Sequence, residues 1–327
     1  MAYYMNTPPE ITIQYTLCPL GCIQDDKTIL TGRDLIHNLP GDFNIVQCRS
    51  CGLIRTNPRP TPETIDFYYP DDYGPYLGTR VQQESLEDLK WTFKFKSHLK
   101  KILRKIFNSN STLVPQLPPG RMLEIGCASG TFMHQMAKKG WQVSGIEFSS
   151  KAAQATAALG YPVYVGPLET APEFNESFDL IVGWMALEHL HSPVAGLQKL
   201  RNWAKPNTWL VLSMPNAGSL EFRLFKKRWY ALQLPNHLYH YTPNTISRIL
   251  NHSGWKPEKI FHHKTLINLL VSTGYLLCDK GHTHIGKKLI NSPEKSGIWN
   301  CILYPLAWIL SYFGQTGRMT IWARVSE

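Results

Sequence analysis

The sequence is short of charge, of long apolar runs and of disulfide-forming cysteines. Charged residues make up 18% of the 327-residue chain against 43% hydrophobic residues. That balance excludes a disordered composition and leaves apolar side chains for a sizeable core. No stretch has the length and purity of a membrane-spanning helix. The nearest, "TLINLLVSTGYLLC" (265–278) and "IWNCILYPLAWILSYF" (298–313), are short, and the second carries Pro305; core or interfacial helices are expected. "MAYYMNTPPE" has no basic region followed by an apolar run, so no secretory signal is expected. Seven cysteines is an odd set, and four of them form two close pairs. This suits metal binding and free thiols in a reducing compartment, the cytoplasm, and not a disulfide framework. Internal repeats and low-complexity tracts are also lacking.

What the chain has in excess is base. Lys plus Arg number 34 against 24 Asp plus Glu, a net +10. Such a charge favours phosphorylated substrates, nucleic acid or anionic membrane without choosing among them.

The organisation reads in three parts. Residues 1–75 are rich in Pro, Cys and turn residues, and "TNPRPTPETIDFYYPDDYGPY" reads as a linker or wrap with Thr61 or Pro62 opening a short helix. Residues 76–118 hold a basic amphipathic helix, "ESLEDLKWTFKFKSHLKKILRKIF" (84–107), with apolar residues at helical spacing between lysines, and then the breaker "NSNSTLVPQLPPG". Its bland reading is a helix docked on its own domain with a solvated lysine face; the other is attachment to anionic lipid. From 119 to 327 strand-like and helix-like segments alternate, which implies right-handed crossovers and a mostly parallel sheet. About 216–316 interrupts this pattern with aromatics, bases and a helix opened by Thr242 and Pro243. "KPEKIFHH" and "MTIWARVS" read as late strands.

The chemistry centres on "RMLEIGCASG" (121–130), a strand running into a small-residue turn. In open parallel sheets ligands bind at the carboxyl ends of strands, so this turn belongs to the site. It is not a dinucleotide fingerprint: the spacing is Gly126-x-Ala128-x-Gly130, with Thr131 where the third small residue would stand. Small residues let the backbone approach a ligand closely. Glu147 ends the next strand, where a carboxylate can accept hydrogen bonds from both ribose hydroxyls. Glu124, just before the turn, disfavours a pyrophosphate and favours a cationic or amino-bearing ligand.

"LEIGCASG", "GIEFSS", "FDLIVGWMALEHLHSP" and "WLVLSMPN", in that order, resemble the class I S-adenosylmethionine-dependent methyltransferases. The likeness is to the small-molecule branch, which includes quinone-precursor and sugar methyltransferases, and it covers about 120–325. It implies a doubly wound, mostly parallel, Rossmann-like α/β sheet with a C-terminal acceptor lid. It also implies S-adenosylmethionine as donor, with Gly126, Ala128 and Gly130 lining it, Glu147 on the ribose, and Leu168 and Glu169 near the adenine. Glu124, Cys127, Phe148 and Trp184 complete the expected donor set. Ala128 departs from the family, where a third glycine is common, and its methyl group narrows the turn.

Cys18-x-x-x-Cys22 and Cys48-x-x-Cys51 suit a closed, structural tetrahedral zinc site, and "CRSCGLIRTNPRP" resembles the zinc-ribbon-like leader that precedes many such methyltransferases. The first pair has one residue more than the commoner spacing. Unmetallated thiols are the other reading.

Methyl transfer from a sulfonium needs alignment and, for a hydroxyl acceptor, a general base. His189 and His237 are the candidate bases, with His191 and His240 beside them; the bland reading is that Glu188 and His189 brace a loop and His237 packs among aromatics. The expected partner is a small-molecule acceptor, methylated on O or C, of quinone-precursor, sugar or lipid-linked type, with peripheral contact to an anionic membrane. Two rivals stand beside it: an RNA methyltransferase, and a catalytically silent binding protein working through the leader. Against nucleic acid, the position of an Asp/Asn-Pro-Pro-aromatic run holds "GWMALEHL", and no Pro-Cys pair is present in that role.

Overall fold

The structure, a computed structural model, describes residues 8, 10–70, 113–174, 177–291 and 297–326. The basic helix read over 84–107 and most of the 76–118 linker lie outside the described residues.

The leader contributes β1 (Ile13–Gln14), β2 (Asp26–Gly32), β3 (Phe43–Cys48), β4 (Ile54–Thr56) and β5 (Arg59–Pro60). The helix expected at Thr61 or Pro62 is a 3-10 turn over Ile65–Tyr68. The main domain follows with β6 (Arg121–Ile125), α1 (Thr131–Ala137), β7 (Gln142–Glu147), α2 (Ser150–Ala158), β8 (Val163–Val165), β9 (Phe178–Trp184), α3 (Pro193–Asn202) and β10 (Ala204–Pro215). Next come α4 (Leu220–Phe225), β11 (Tyr239–His240), α5 (Pro243–His252), β12 (Trp255–His262), α6 (Ile267–Asp279), α7 (Thr283–Ile290), α8 (Gly297–Tyr312) and β13 (Arg318–Val325). The two apolar segments at 265–278 and 298–313 are thus α6 and α8, and among the described residues no helix is long and apolar enough to cross a membrane.

The main sheet has seven strands in the order β12-β13-β10-β9-β6-β7-β8. The five from β10 to β8 are parallel, while β13 runs antiparallel to β10 and β12 antiparallel to β13. Leu123, Leu180, Ile181, Val182, Leu210, Val211 and Leu212 are wholly buried, as strands covered on both faces require. The chain builds from β6 through β7 to β8 on one side, then crosses back to β9 on the other. The carboxyl end of β6 is therefore a topological switch point, where a crevice opens. Helix starts follow local chemistry: Ser149 Oγ accepts from Ala152 N–H before α2, and Thr242 and Thr245 form a capping box before α5, with Pro243 in its first turn.

The leader does not stand apart from this domain. Its β2, β3 and β4 form an antiparallel sheet whose fourth strand is β11, from the expected lid. Phe43, Ile45 and Leu53 belong to the same hydrophobic cluster as Ile181, Leu212 and Leu238. Buried Arg55 is fixed by both oxygens of Asp26, at 2.9 and 2.6 Å.

Candidate functional site

The turn after β6 is built by three left-handed residues, Gly126 (φ +64°), Ala128 (φ +47°) and Gly130 (φ +73°). A side chain at Gly130 would press on Thr156, its Cβ 2.9 Å from Oγ1, and one at Gly126 would come 3.0 Å from the Ala186 Cβ. Small residues here bring the turn against α2 on one side and the loop after β9 on the other. Cys127 is buried and packs beneath the turn against Gly145.

Two carboxylates serve this turn. Glu147 accepts from Ala128 N–H through Oε2 and from Ser149 N–H through Oε1, both at 2.8 Å. It thereby fastens the end of β7 to the turn after β6, and each oxygen keeps a lone pair for a ligand. Burial raises the pKa of Glu147, opposed by those N–H donors. Glu124 is buried and its Oε2 has no partner; burial drives its pKa well up, Met133 N–H opposes this and the Glu147 charge adds to it. An orphaned carboxylate beside a small-residue turn suits an amino-bearing or cationic ligand, as S-adenosylmethionine would be. Phe148 stands exposed just past Glu147, and Trp184 at the end of β9 has an unpartnered indole N–H. Leu168 and Glu169 lie on a 3-10 turn beyond β8. Leu168 packs toward Gly196 of α3, and the Glu169 carboxylate accepts from Ser192 N–H at 3.1 Å.

Beyond β9 the chain passes through Met185 at φ +55° into the turn Leu187–His189. Here the leader, the main domain and the segment around 231–240 meet. Leu238 N–H donates to Glu188 O, Thr56 Oγ1 to His237 O and Thr56 N–H to Leu238 O. His189 and His237 lie ring to ring, with centroids 4.7 Å apart and planes at 81°. His189 Nδ1 lies 3.0 Å from Asn236 O and 2.8 Å from Tyr69 Oη; His237 Nδ1 lies 2.9 Å from Ala231 O. Burial lowers the pKa of His189 to about 4 and that of His237 well below its usual value, while burial pushes Glu188 up to about 8. Both rings are neutral at pH 7, as a proton acceptor must be. His191 and His240 are spent on structure: His191 Nε2 meets Pro60 O at 3.2 Å, and His240 Nε2 meets Thr56 Oγ1 at 3.4 Å. Trp229, Tyr239 and Tyr241 are buried in the core.

Tyr69 escaped the sequence reading. Its ring lies 5.9 Å from Phe148 and 6.0 Å from His189, so the leader spans from the donor-turn side to the histidine cluster. The aromatic run "FYY" was its one sequence signal, and only the leader's return across the sheet gives it meaning.

The four leader cysteines have their sulfur atoms within 4.8 Å of one another, with Cys18 and Cys51 Sγ 3.5 Å apart. Tetrahedral Zn–S bonds of roughly 2.3 Å place sulfurs about 3.8 Å apart, so the set fits zinc. Each pair carries a glycine at positive φ in its knuckle, Gly21 (+71°) and Gly52 (+79°), with Gly21 N–H donating to Cys18 O and Gly52 N–H to Cys48 O.

A small-residue turn with a fastened carboxylate beside it, at the switch point of a doubly wound sheet, is the layout of a nucleotide-type site. The chain matches the methyltransferase-domain family over residues 95–260, just over half its length, and it belongs to that family. It is 24% identical over 147 residues to the ubiquinone biosynthesis O-methyltransferase of Chromobacterium violaceum, covering 41% of this chain and 63% of that protein. It is 28% identical over 135 residues to the protein of the same name from Xanthomonas campestris pv. campestris, covering 38% of this chain and 56% of that one. The chain thus spans less than two thirds of the length of these relatives. Among solved structures, an S-adenosylmethionine-dependent methyltransferase from Mesorhizobium loti aligns at 16% identity and a TM-score of 0.42, over 68% of this chain and 96% of that one.

Proposed function

We propose that the protein transfers a methyl group from S-adenosylmethionine to a small-molecule acceptor. The observation that carries this reading is the Gly126–Gly130 turn, fastened by Glu147 and adjoining the loop that leads to Glu188, His189 and His237. In it, Gly126, Ala128 and Gly130 admit the donor's methionine part, Glu124 faces its amino group, Glu147 holds the ribose, and Leu168, Glu169, Phe148 and Trp184 frame the rest. For a hydroxyl acceptor, the oxygen loses its proton at the histidine cluster and attacks the methyl carbon. The C–S bond breaks with its electrons going to sulfur, and S-adenosylhomocysteine leaves. The neutral His189 and His237 rings can take that proton, as weak bases, since burial sets His189 at about 4 and His237 well below its usual value. The names of the matched relatives, ubiquinone biosynthesis O-methyltransferases, favour a quinone-precursor or related small molecule over RNA, and the intact donor turn speaks against a silent binding protein. Zinc on Cys18, Cys22, Cys48 and Cys51 is the structural metal in this reading. The exposed apolar side of α8 supports a lipid-linked acceptor met at an anionic membrane surface.

The test is calorimetric titration with S-adenosylhomocysteine. Saturable binding is expected, weakened by at least about tenfold in Glu147→Gln, the equivalent of one charge-assisted hydrogen bond. Absence of binding by the folded wild-type protein would remove the donor site and, with it, the methyltransferase reading.

A further inference from the structure

Carboxylates are seldom buried without a partner. Glu188 is wholly buried, and neither of its oxygens has a hydrogen-bond partner beyond its own backbone N–H. Arg318, whose charge reaches it, donates instead from Nε to Ser213 Oγ at 3.0 Å. The side chains that converge with Glu188 are His189 and His237, with one ligand atom from each of the three lying within 4.8 Å of the others.

The tautomers decide what this cluster is. Ala231 O can only accept a hydrogen bond, so Nδ1 of His237 carries its proton; Nδ1 of His189 does so when it donates to Asn236 O, with Tyr69 Oη then accepting beside it. Each Nε2 is then left with its lone pair. With Glu188 ionised, the cluster presents two bare imidazole nitrogens and a carboxylate; with nothing bound, burial that lifts Glu188 to about 8 lets its acid form donate to a ring nitrogen instead. The ionised set is stable in a buried place only beside positive charge; Arg318 supplies part of it from a distance, and a bound cation would supply the rest. A ring nitrogen donating to a main-chain carbonyl is also the arrangement that orients metal-bound histidines, and two imidazoles with one carboxylate form an open ligand set for zinc, iron(II) or cobalt(II).

We propose that Glu188, His189 and His237 hold a divalent first-row transition cation, separate from the four-cysteine cluster, with its open side toward His189, the partly exposed member of the three. It revises the acceptor reading above: with both Nε2 lone pairs on the cation the rings would not take the proton, and the cation would instead lower the pKa of a bound acceptor oxygen so that its proton leaves to water. The dependence ends there, because binding of the cation needs neither donor nor acceptor. The leader contributes too, since Tyr69 Oη meets His189 Nδ1 and adds to the support of that ring.

The experiment is a titration of the zinc-loaded full chain with cobalt(II) chloride, followed by visible absorption. The expected result is one equivalent bound per chain, with ligand-field bands and no thiolate-to-cobalt charge-transfer band in the near ultraviolet. Glu188→Gln keeps the shape of the side chain and should weaken that binding by roughly a hundredfold or more; His237→Gln should do the same. Circular dichroism and the melting temperature establish that each variant is folded. Cobalt bands that are absent, that come only with thiolate charge transfer, or that persist unchanged in folded Glu188→Gln would overturn the proposal and leave a shared proton as the bond within the cluster. Loss of S-adenosylhomocysteine binding would sink the donor reading alone.

Discussion

Ala128 and Met185 hold left-handed backbone, φ +47° and +55°, at the ends of the adjacent strands β6 and β9. For a residue with a Cβ that conformation costs about 1–2 kcal/mol, and it persists where neighbours over-determine it. At Ala128 they do: its N–H donates to Glu147 Oε2 and its carbonyl accepts from Thr156 Oγ1, both at 2.8 Å. Replacing Ala128 with Gly relieves the strain at a smaller entropic cost and should raise stability by about 0.5–1 kcal/mol in urea unfolding. A destabilised variant would show that the methyl group is packed and that the turn was shaped to include it. The sequence already marked position 128 as small and Glu147 as a site carboxylate. It did not show that Glu147 spends a lone pair of each oxygen on the backbone, because that depends on where β7 ends relative to the turn after β6. Nor did it disclose Tyr69 or the convergence of Glu188 with two histidines, which requires three distant segments to meet.

Among the elements, the parallel strands were the most legible. Each is a short apolar run bounded by a glycine or a helix cap, and period and punctuation agree. The leader was less so, since its sheet is completed by β11, two residues that carry no strand signal and pair with Arg55 and Ile54 only after the chain has returned from the main domain. This pairing has a consequence for the cysteine cluster. Cys48 ends β3, and Gln47, its neighbour, pairs with Ile54 of β4, which pairs in turn with His240. Loss of a metal at the cysteines therefore loosens more than the leader. Cys51→Ser, or zinc removal by a chelator, should speed hydrogen exchange at Leu238 and the β11 amides as well as in β2 to β4, with the amides of β6 and β9 unchanged. Faster exchange confined to the leader would mean that the β11 pairing does not couple the two regions.

At the scale of the whole molecule, a net charge of +10 and an uncovered apolar helix side among the described residues point to the same kind of surface. Ile302, Leu306, Ile309 and Phe313 recur at helical spacing along and just beyond α8 and are exposed by 60, 47, 49 and 67%. Soluble chains seldom leave such a row open without a use for it. A base borders it: Leu220 N–H donates to Gln315 O at 3.1 Å, which brings α4 to the end of α8, and Arg223 of α4 donates to the Gln315 side chain. The exposed Leu224 follows on the same helix. An apolar row with a base at its end, on a chain of net positive charge, suits the interface of an anionic bilayer, where the row enters the acyl boundary and the bases meet the headgroups. The two contributions separate by salt, since the Debye length falls from about 10 Å at 0.1 M to about 3 Å at 1 M while apolar insertion is unaffected. Sedimentation with phosphatidylglycerol vesicles should show binding at low salt that weakens but does not vanish at 1 M. The double variant Ile309→Ser, Phe313→Ser leaves every charge in place and should abolish the salt-resistant part. No binding at low salt, or binding that the serine variant leaves intact, would dismiss the membrane as the partner of α8 and return the lipid-linked acceptor to one option among small molecules.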